Sequence, residues 1–174
     1  KDAYIGVIHR LDKPVYGIIL YGKTKVATEI LSNERRKKNI EKTYEALVEG
    51  LPENKEGELR DYLKKYDNNI SKVVDKNTPG AKESVLKYSV EESYQRDDTF
   101  ITRLRINLLT GRHHQIRLQC AEHGFPLFGD FKYNKRLQKQ RLEYDKVLAL
   151  AAVELRFKHP KTKEKLIYKI DADF

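Results

Sequence analysis

The chain has 174 residues, of which 35% are charged and 39% are hydrophobic. A chain of this length suits one domain rather than two, and its 6 Phe and 11 Tyr residues argue against disorder throughout. Lys and Arg outnumber Asp and Glu by 35 to 26, which gives a formal net charge of +9. This surplus favours a polyanionic partner, with nucleic acid ahead of an anionic membrane.

Further classes of protein are excluded by what the sequence lacks. Its single cysteine, Cys120, cannot form an internal disulfide, which excludes a stapled secreted scaffold and favours a reducing compartment. No apolar run reaches the roughly 18 residues of a membrane-spanning helix, and no apolar core of a signal peptide follows the first residues. Because Met is absent even at position 1, we expect a processed or trimmed piece.

The first half of the chain predicts two strands and one helix. The β-forming run Gly17–Tyr21 predicts a strand, and Thr24 is suited to cap a helix that runs to about Lys38. A second strand is predicted at Thr43–Glu49, ahead of a Gly-Leu-Pro stop. The polar stretch Glu53–Gly80 shows no clear pattern.

The second half predicts a hairpin, a helix and two more strands. Glu83–Glu92 and Thr99–Leu109 flank a polar turn, as in an antiparallel hairpin. A helix is predicted over Thr110–Gly124. Val147–Phe157 is ambiguous at first and then alternates like a strand, and Leu166–Ile170 predicts the last strand. Because strands outnumber helices, the predicted fold class is α+β, with a mixed, mostly antiparallel sheet flanked by helices.

One motif match is rejected on physical grounds. Gly17, Gly22, Lys23 and Thr24 have the spacing of a nucleotide phosphate loop. Such a loop needs flexible residues whose amides turn toward the phosphates. The four residues between the glycines are Ile, Ile, Leu and Tyr, which favour a strand. The match is therefore interpreted as a coincidence.

The five histidines do not form a metal-binding pattern. With one cysteine, no His-Glu-x-x-His motif and no paired spacing, a zinc site is not expected. The adjacent His113 and His114 would point to different faces of a helix. Contact with RNA, or an ordinary surface position, is the preferred interpretation for most of the five.

Two segments concentrate the groups from which a site can be built. His9–Asp12 reads His-Arg-Leu-Asp and places one carboxylate in a turn just before a strand. Thr110–Arg117 reads Thr-Gly-Arg-His-His-Gln-Ile-Arg and concentrates polar and cationic groups at the start of a helix. Each segment alone is equally typical of a surface turn with a local ion pair or of a solvated basic helix.

Together with Lys42–Tyr44, which reads Lys-Thr-Tyr, these segments resemble the three signature motifs of RluA-type pseudouridine synthases, in the same order and spacing. Pro126–Asp130 with Tyr133, and Leu148–Pro160, resemble further parts of the family pattern, so the resemblance spans nearly the whole chain. The chain departs from the family at Val15–Gly17, where members usually have Thr-Ser-Gly.

The resemblance implies a pseudouridine synthase catalytic fold over residues 1–174. It implies an enzyme that flips specific uridines out of structured ribosomal or transfer RNA and isomerises them to pseudouridine. Neither cofactor nor metal is implied, and we expect a cytoplasmic monomer that binds RNA and no membrane. The family's segment before the His-Arg-Leu-Asp motif and the helical S4 RNA-binding domain have no counterpart here. The N-terminal strands of the domain are therefore expected to be missing.

The resemblance also implies roles for individual residues. Asp12 is expected to be the ionised nucleophile and Arg117 to pair with it. Tyr44 is expected to lie against the target base and take part in proton transfer, although a core aromatic on a strand is its ordinary alternative. Arg10 is expected to enter the RNA stack when the uridine leaves, and Ile116 to form an apolar wall beside the base. The other predicted RNA contacts are His9, Leu11, Arg112, His114 and Gln115.

A single carboxylate suits isomerisation better than glycoside hydrolysis, which uses two. The main alternative is a non-catalytic module that keeps the fold and binds RNA through charge. Basic patches at Arg35–Lys38, Lys132–Arg141 and Lys158–Lys165 are the expected carriers of RNA affinity, with a solvated face as the ordinary explanation for each. A membrane-surface protein is disfavoured because no amphipathic helix with a large apolar face is evident.

Overall fold

The computed structural model describes residues 3–140 and 148–174. Within these ranges the helices are α1 (Lys25–Arg36), α2 (Gln115–Glu122) and α3 (Lys135–Gln140). The strands are β1 (Gly6–Val7), β2 (Tyr16–Gly17), β3 (Tyr21–Gly22), β4 (Glu41–Glu49), β5 (Glu56–Lys65), β6 (Ser71–Val73), β7 (Lys82–Arg96), β8 (Thr99–Leu108), β9 (Leu150–Lys158) and β10 (Lys165–Lys169).

Most strands belong to one sheet, in the order β10-β9-β4-β8-β7-β5-β6, and each neighbouring pair in this order is antiparallel. β2 joins β9 in parallel, which makes the sheet mixed. β1 and β3 form a separate antiparallel ribbon that contacts α1. The predicted class, α+β with a mixed, mostly antiparallel sheet, is confirmed. No helix in the described ranges has the length and apolar character that a membrane crossing requires.

The central strands β4 and β8 bring two of the sequence motifs together. Because the strands are antiparallel, the start of β4 lies beside the end of β8, with Tyr44 opposite Ile106. Both side chains belong to the main hydrophobic core, which α2 covers with Ile116 and Cys120. The motif that begins β4 is thereby placed against the motif that follows β8.

A β-bulge lies at the same place. Between β4 and β9, Thr43 pairs with Glu154 but Tyr44 pairs with Ala152, so Val153 is the extra residue. A bulge increases the local twist and changes the direction of nearby side chains. The sheet is therefore distorted where Tyr44 leaves it for the candidate site.

The strand predicted over Gly17–Tyr21 is wrong in its extent. The structure has two short strands, β2 and β3, and Ile18–Leu20 between them are outside both. The N–H of Leu20 donates to His9 Nε2 at 3.2 Å instead of to a neighbouring strand. The two glycines of the phosphate-loop match thus lie in different strands.

The stretch 53–80, which shows no sequence pattern, contains β5 and β6. Its buried leucines, Leu59 and Leu63, share one face of β5 with Asp61 between them, so the apolar alternation that marks a half-buried strand is interrupted. β7 also continues beyond its predicted end, to Arg96, which reduces the hairpin turn to Asp97 and Asp98. β5 is held by pairing with β7, with Glu56 opposite Ser89, rather than by a pattern in its own sequence.

The helix predictions are correct in place and too long in extent. Thr24 caps α1 as predicted, because its hydroxyl accepts from the Ala27 N–H at 3.1 Å. α1 ends at Arg36 rather than near residue 38, and α2 begins at Gln115 rather than at residue 110. His114 precedes α2 with a φ of 55°, so the backbone turns sharply into the helix.

The last two strand predictions agree closely with the structure. β9 covers most of the predicted range, and Val147 lies outside the described residues. β10 begins one residue before the predicted Leu166.

Candidate active site

One pocket of about 1030 Å³ brings the three sequence motifs together. All ten predicted site residues line it, along with cations from the end of α1 and from β8 and β9. Of the three predicted basic patches, only Arg35–Lys38 contributes to the lining. Arg141, at the end of the second patch, lies outside the described residues.

Asp12 lies in the turn between β1 and β2, with its side chain 35% exposed. Its backbone carbonyl accepts from the Val15 N–H at 2.8 Å, which closes the turn. Gly17 then approaches β9 so closely that a Cβ would lie 2.4 Å from the Ala152 carbonyl oxygen. The turn is therefore anchored to the sheet while the carboxylate stays accessible to the pocket.

Tyr44 forms part of the pocket floor and is 6% exposed. It packs in the main core with Ile116 and Leu150. Burial, followed by the charge of Asp12, raises the pKa of Tyr44 to about 12, so the phenol is neutral at physiological pH. Tyr44 is thus both a core aromatic and a pocket residue, and the two sequence interpretations are compatible.

Arg117 does not form the predicted direct pair with Asp12, and this expectation is wrong. Its Nε and Nη2 each donate to the Asp130 carboxylate at 2.7 Å, and both residues are buried. Asp130 also accepts from the backbone N–H groups of Lys132 and Tyr133. A buried, bidentate, charge-assisted pair of this kind is stronger than a contact with a partly exposed carboxylate.

The influence of Asp12 on Arg117 is electrostatic and weak. Although burial opposes the shift, hydrogen bonds and charge from Asp130, followed by Tyr133 and Asp12, raise the pKa of Arg117. Arg117 therefore remains a fixed positive charge in the wall of the pocket.

His114 lies between Asp12 and Tyr133. Its Nδ1 is 2.7 Å from the Tyr133 hydroxyl, and its Nε2 is 3.9 Å from Asp12 Oδ2. The Tyr133 oxygen accepts from the Ser71 N–H at 3.0 Å, so its own hydrogen is best donated to His114 Nδ1. This network assigns the imidazole hydrogen to Nε2, toward Asp12.

Burial, followed by the charge of Arg117, lowers the pKa of His114 to about 3. The imidazole is therefore neutral, buried and in contact with protein groups. Its predicted contact with RNA stays a prediction.

The rest of the Thr110–Arg117 motif stabilises its own turn. Gln115 Oε1 accepts from the Thr110 hydroxyl at 2.9 Å and from the Arg112 N–H at 3.0 Å. Arg112 is exposed, and its Nε donates to the Glu83 carbonyl. Arg112 is thus accessible to solvent, whereas Gln115 is buried and stabilises the loop. The predicted RNA contacts of both residues stay predictions.

The His9–Asp12 motif divides in a similar way. His9 is buried, and burial, followed by Lys42 and Arg35, lowers its pKa to about 4. Leu11 packs against the main core. Arg10 is exposed beside the pocket, as the predicted insertion into an RNA stack requires.

Asp130 and Tyr133 lie outside the ten predicted site residues, although both belong to segments that resemble the family. Lys42 also lines the pocket and is half-buried.

Within residues 3–140 and 148–174, no group of three or more His, Cys, Asp or Glu side chains could hold a metal ion.

Comparison with known proteins shows the family of the chain. The family model of the RNA pseudouridylate synthases matches residues 1–122, and the chain belongs to this family. It is 33% identical over 153 residues to ribosomal large subunit pseudouridine synthase C of Rickettsia bellii, covering 87% of this chain and 48% of that protein. It is 34% identical over 173 residues to ribosomal large subunit pseudouridine synthase D of Haemophilus influenzae, covering 91% and 50%.

The chain spans about half the length of the curated relatives it matches. Among solved structures, it resembles human RNA pseudouridylate synthase domain containing 1, with a TM-score of 0.80 at 20% identity, over 97% of this chain and 69% of that one. Human RNA pseudouridylate synthase domain containing 4 gives a TM-score of 0.77 at 20% identity, over 97% and 72%. The resemblance to RluA-type synthases and the predicted catalytic fold are confirmed.

Proposed function

We propose that this chain isomerises uridine to pseudouridine in structured RNA, with Asp12 as the nucleophile and residues 1–174 as the catalytic domain. The observation that carries the proposal is that Asp12, Tyr44 and Arg117, from three separate segments, line one pocket. The relatives' names favour large-subunit ribosomal RNA as the substrate, and transfer RNA is the second class. We propose a cytoplasmic monomer, in a compartment where the buried Cys120 stays reduced.

The proposed reaction rearranges one nucleotide and changes no atom count. The bond between ribose C1′ and uracil N1 breaks, the base turns, and a bond between C1′ and C5 forms. C5 loses one hydrogen and N1 gains one. The Asp12 carboxylate attacks the sugar or the base and is released when the new bond forms, so the balance requires no added oxidant or reductant.

Tyr44 is proposed to move the hydrogen. While Asp12 is a free carboxylate, burial and the charge of Asp12 keep Tyr44 a neutral phenol. When Asp12 is bonded to the nucleotide its charge is gone, and that contribution to the raised pKa of Tyr44 is removed. Tyr44 then gives its hydrogen to N1 and takes the one that C5 loses.

Hydrolysis of the glycosidic bond is disfavoured by the state of Glu154, a second carboxylate in the pocket lining. A hydrolase needs a second carboxyl group with a raised pKa as its general acid. Although burial alone would raise the pKa of Glu154, hydrogen bonds from Arg156 and Lys169 lower it. Glu154 is therefore an ion-pair acceptor rather than a proton donor.

Asp12→Asn tests the proposal. We expect the variant to form no pseudouridine in ribosomal or transfer RNA, because an amide is a poor nucleophile, while RNA affinity stays roughly unchanged. Asp171→Asn, an exposed residue outside the pocket lining, is the matched control and should retain full activity. Pseudouridine mapping on unmodified RNA gives the readout.

Full activity in Asp12→Asn would overturn the mechanism. A wild-type chain that binds RNA with steep salt dependence and forms no pseudouridine in either class of RNA would instead favour the non-catalytic RNA-binding alternative.

A further inference from the structure

Lys42 is a half-buried cation that has no carboxylate partner among the described residues. Other half-buried lysines have a contact that accounts for their position: Lys64 lies over the Tyr66 ring, and Lys132 donates to the Asn69 carbonyl. Lys42 has neither kind of contact within residues 3–140 and 148–174. Its ammonium lies instead against Gly111, where a Cβ would be 4.0 Å from Nζ.

The groups around Lys42 add positive charge or none. Burial, followed by the charge of Arg35, lowers the pKa of Lys42, and Arg35 itself forms no ion pair in the described ranges. His9, the next group in this wall, is neutral because burial, Lys42 and Arg35 lower its pKa. Among the residues that the structure describes, this part of the pocket is therefore a cluster of cations with no counter-charge of its own.

The pocket lining contains three carboxylates, Asp12, Glu41 and Glu154. They do not supply that counter-charge, since only burial and the charge of Arg35 shift the pKa of Lys42. Glu154 is held by Arg105, Arg156 and Lys169. Glu41 is exposed and acts on Arg156 rather than on Lys42. Partial burial of like charges costs free energy unless an anion is present.

We propose that Lys42, with Arg35 at its rim, binds a backbone phosphate of the RNA beside the uridine that enters the pocket. The phosphodiester is the suitable ligand because it is anionic at any physiological pH. Lys42 and Tyr44 are two residues apart on β4, so they share a face of the strand at a spacing of about 7 Å. The proposed phosphate is thus next to the nucleotide whose base lies against Tyr44.

This subsite rests on the proposed function only in taking RNA as the substrate. Each neutralised phosphate of a single strand steepens the dependence of log affinity on log salt by about 0.7. An oligouridine RNA of about 15 nucleotides is the probe, titrated between roughly 50 and 200 mM salt. The variants are Lys42→Gln and a control, Lys55→Gln, which removes the same charge from an exposed position beyond the opposite end of β4.

We expect Lys42→Gln to reduce the salt slope by about 0.7 and to weaken binding about fivefold at 0.1 M salt. Lys55→Gln should match the wild type, and Lys42→Arg, which keeps the charge, should keep the slope. Equal slopes in Lys42→Gln and Lys55→Gln would overturn the subsite, as would a loss in Lys42→Arg as large as that in Lys42→Gln.

Pseudouridine formation by the wild type, measured in parallel, separates the two proposals. If the slope differs as expected while no RNA is modified, the phosphate subsite stands and the proposed function fails. If RNA is modified and the slopes are equal, the reverse holds.

Discussion

Two walls of the same pocket hold their positive charges in opposite ways. At one wall, Arg117 is buried and bonded through two nitrogens to Asp130, whose carboxylate is also fixed by backbone N–H groups. At the other wall, Lys42 is half-buried beside Arg35 and has no carboxylate partner in the described residues.

The difference separates architecture from ligand binding. A cation that pairs with a carboxylate inside the fold stabilises the pocket, and its charge is compensated before any ligand binds. A half-buried cation without a carboxylate partner raises the free energy of the ligand-free protein, and a bound anion can remove this penalty. We therefore propose that the Arg117 wall shapes the site and that the Lys42 wall receives RNA.

The largest expected effect comes from removing the carboxylate that pairs with Arg117. Asp130→Ala leaves the Arg117 charge buried without a partner, and we expect a loss of roughly 3–5 kcal/mol in the free energy of unfolding. Urea unfolding measures this loss. Asp130→Asn, which keeps the size and one acceptor oxygen, should lose less. A change within about 0.5 kcal/mol for the alanine variant would show that Arg117 is compensated in another way.

The next effect concerns pH. His9 and His114 have pKa values of about 4 and about 3 in the folded chain, below the value of about 6.5 expected when unfolded. At pH values between the folded and unfolded pKa, the two histidines are protonated in the unfolded chain and neutral in the folded chain. The free energy of unfolding therefore falls as the pH drops below about 6.5. Each histidine contributes up to about 1.4 kcal/mol per pH unit in this window.

His9→Gln checks this assignment at the Lys42 wall. Glutamine keeps an acceptor for the Leu20 N–H but does not titrate. The slope of the free energy of unfolding against pH should therefore decrease by the contribution of about one proton. Urea unfolding at several pH values between 7 and 5 provides the measurement. Parallel curves for wild type and variant would rule out a neutral, buried His9 as a source of the slope.

The smallest effect is expected from Lys42→Gln, which, unlike Asp130→Ala, should cause no loss of stability. Removing an unmatched charge relieves its burial and its repulsion with Arg35, so we expect stability to stay equal or to rise by up to about 1 kcal/mol. Urea unfolding without RNA gives the value. A clear loss of stability would mean that Lys42, like Arg117, stabilises the folded chain, which would contradict the comparison of the two walls.

Much of the site could be predicted from sequence because its residues are contiguous in three motifs. All ten predicted residues line the pocket. Two of the motifs occupy adjacent ends of the antiparallel strands β4 and β8, and the turn that carries the third is anchored to β9 through β2. The choice of partner for Arg117 could not be predicted this way. Asp12 and Asp130 are both carboxylates in segments that resemble the family, and burial with two backbone donors favours Asp130.

By itself, the sequence determined the basic charge, the α+β class, the motifs and the cap of α1, because these depend on composition and near neighbours. Only the tertiary structure decided which strands the stretch 53–80 forms, that His9 and His114 are buried and neutral, and which pocket cations are matched. The physical reason is that hydrogen bonding, desolvation and Coulomb interaction depend on distance and burial. Both arise only when segments far apart in the chain pack together.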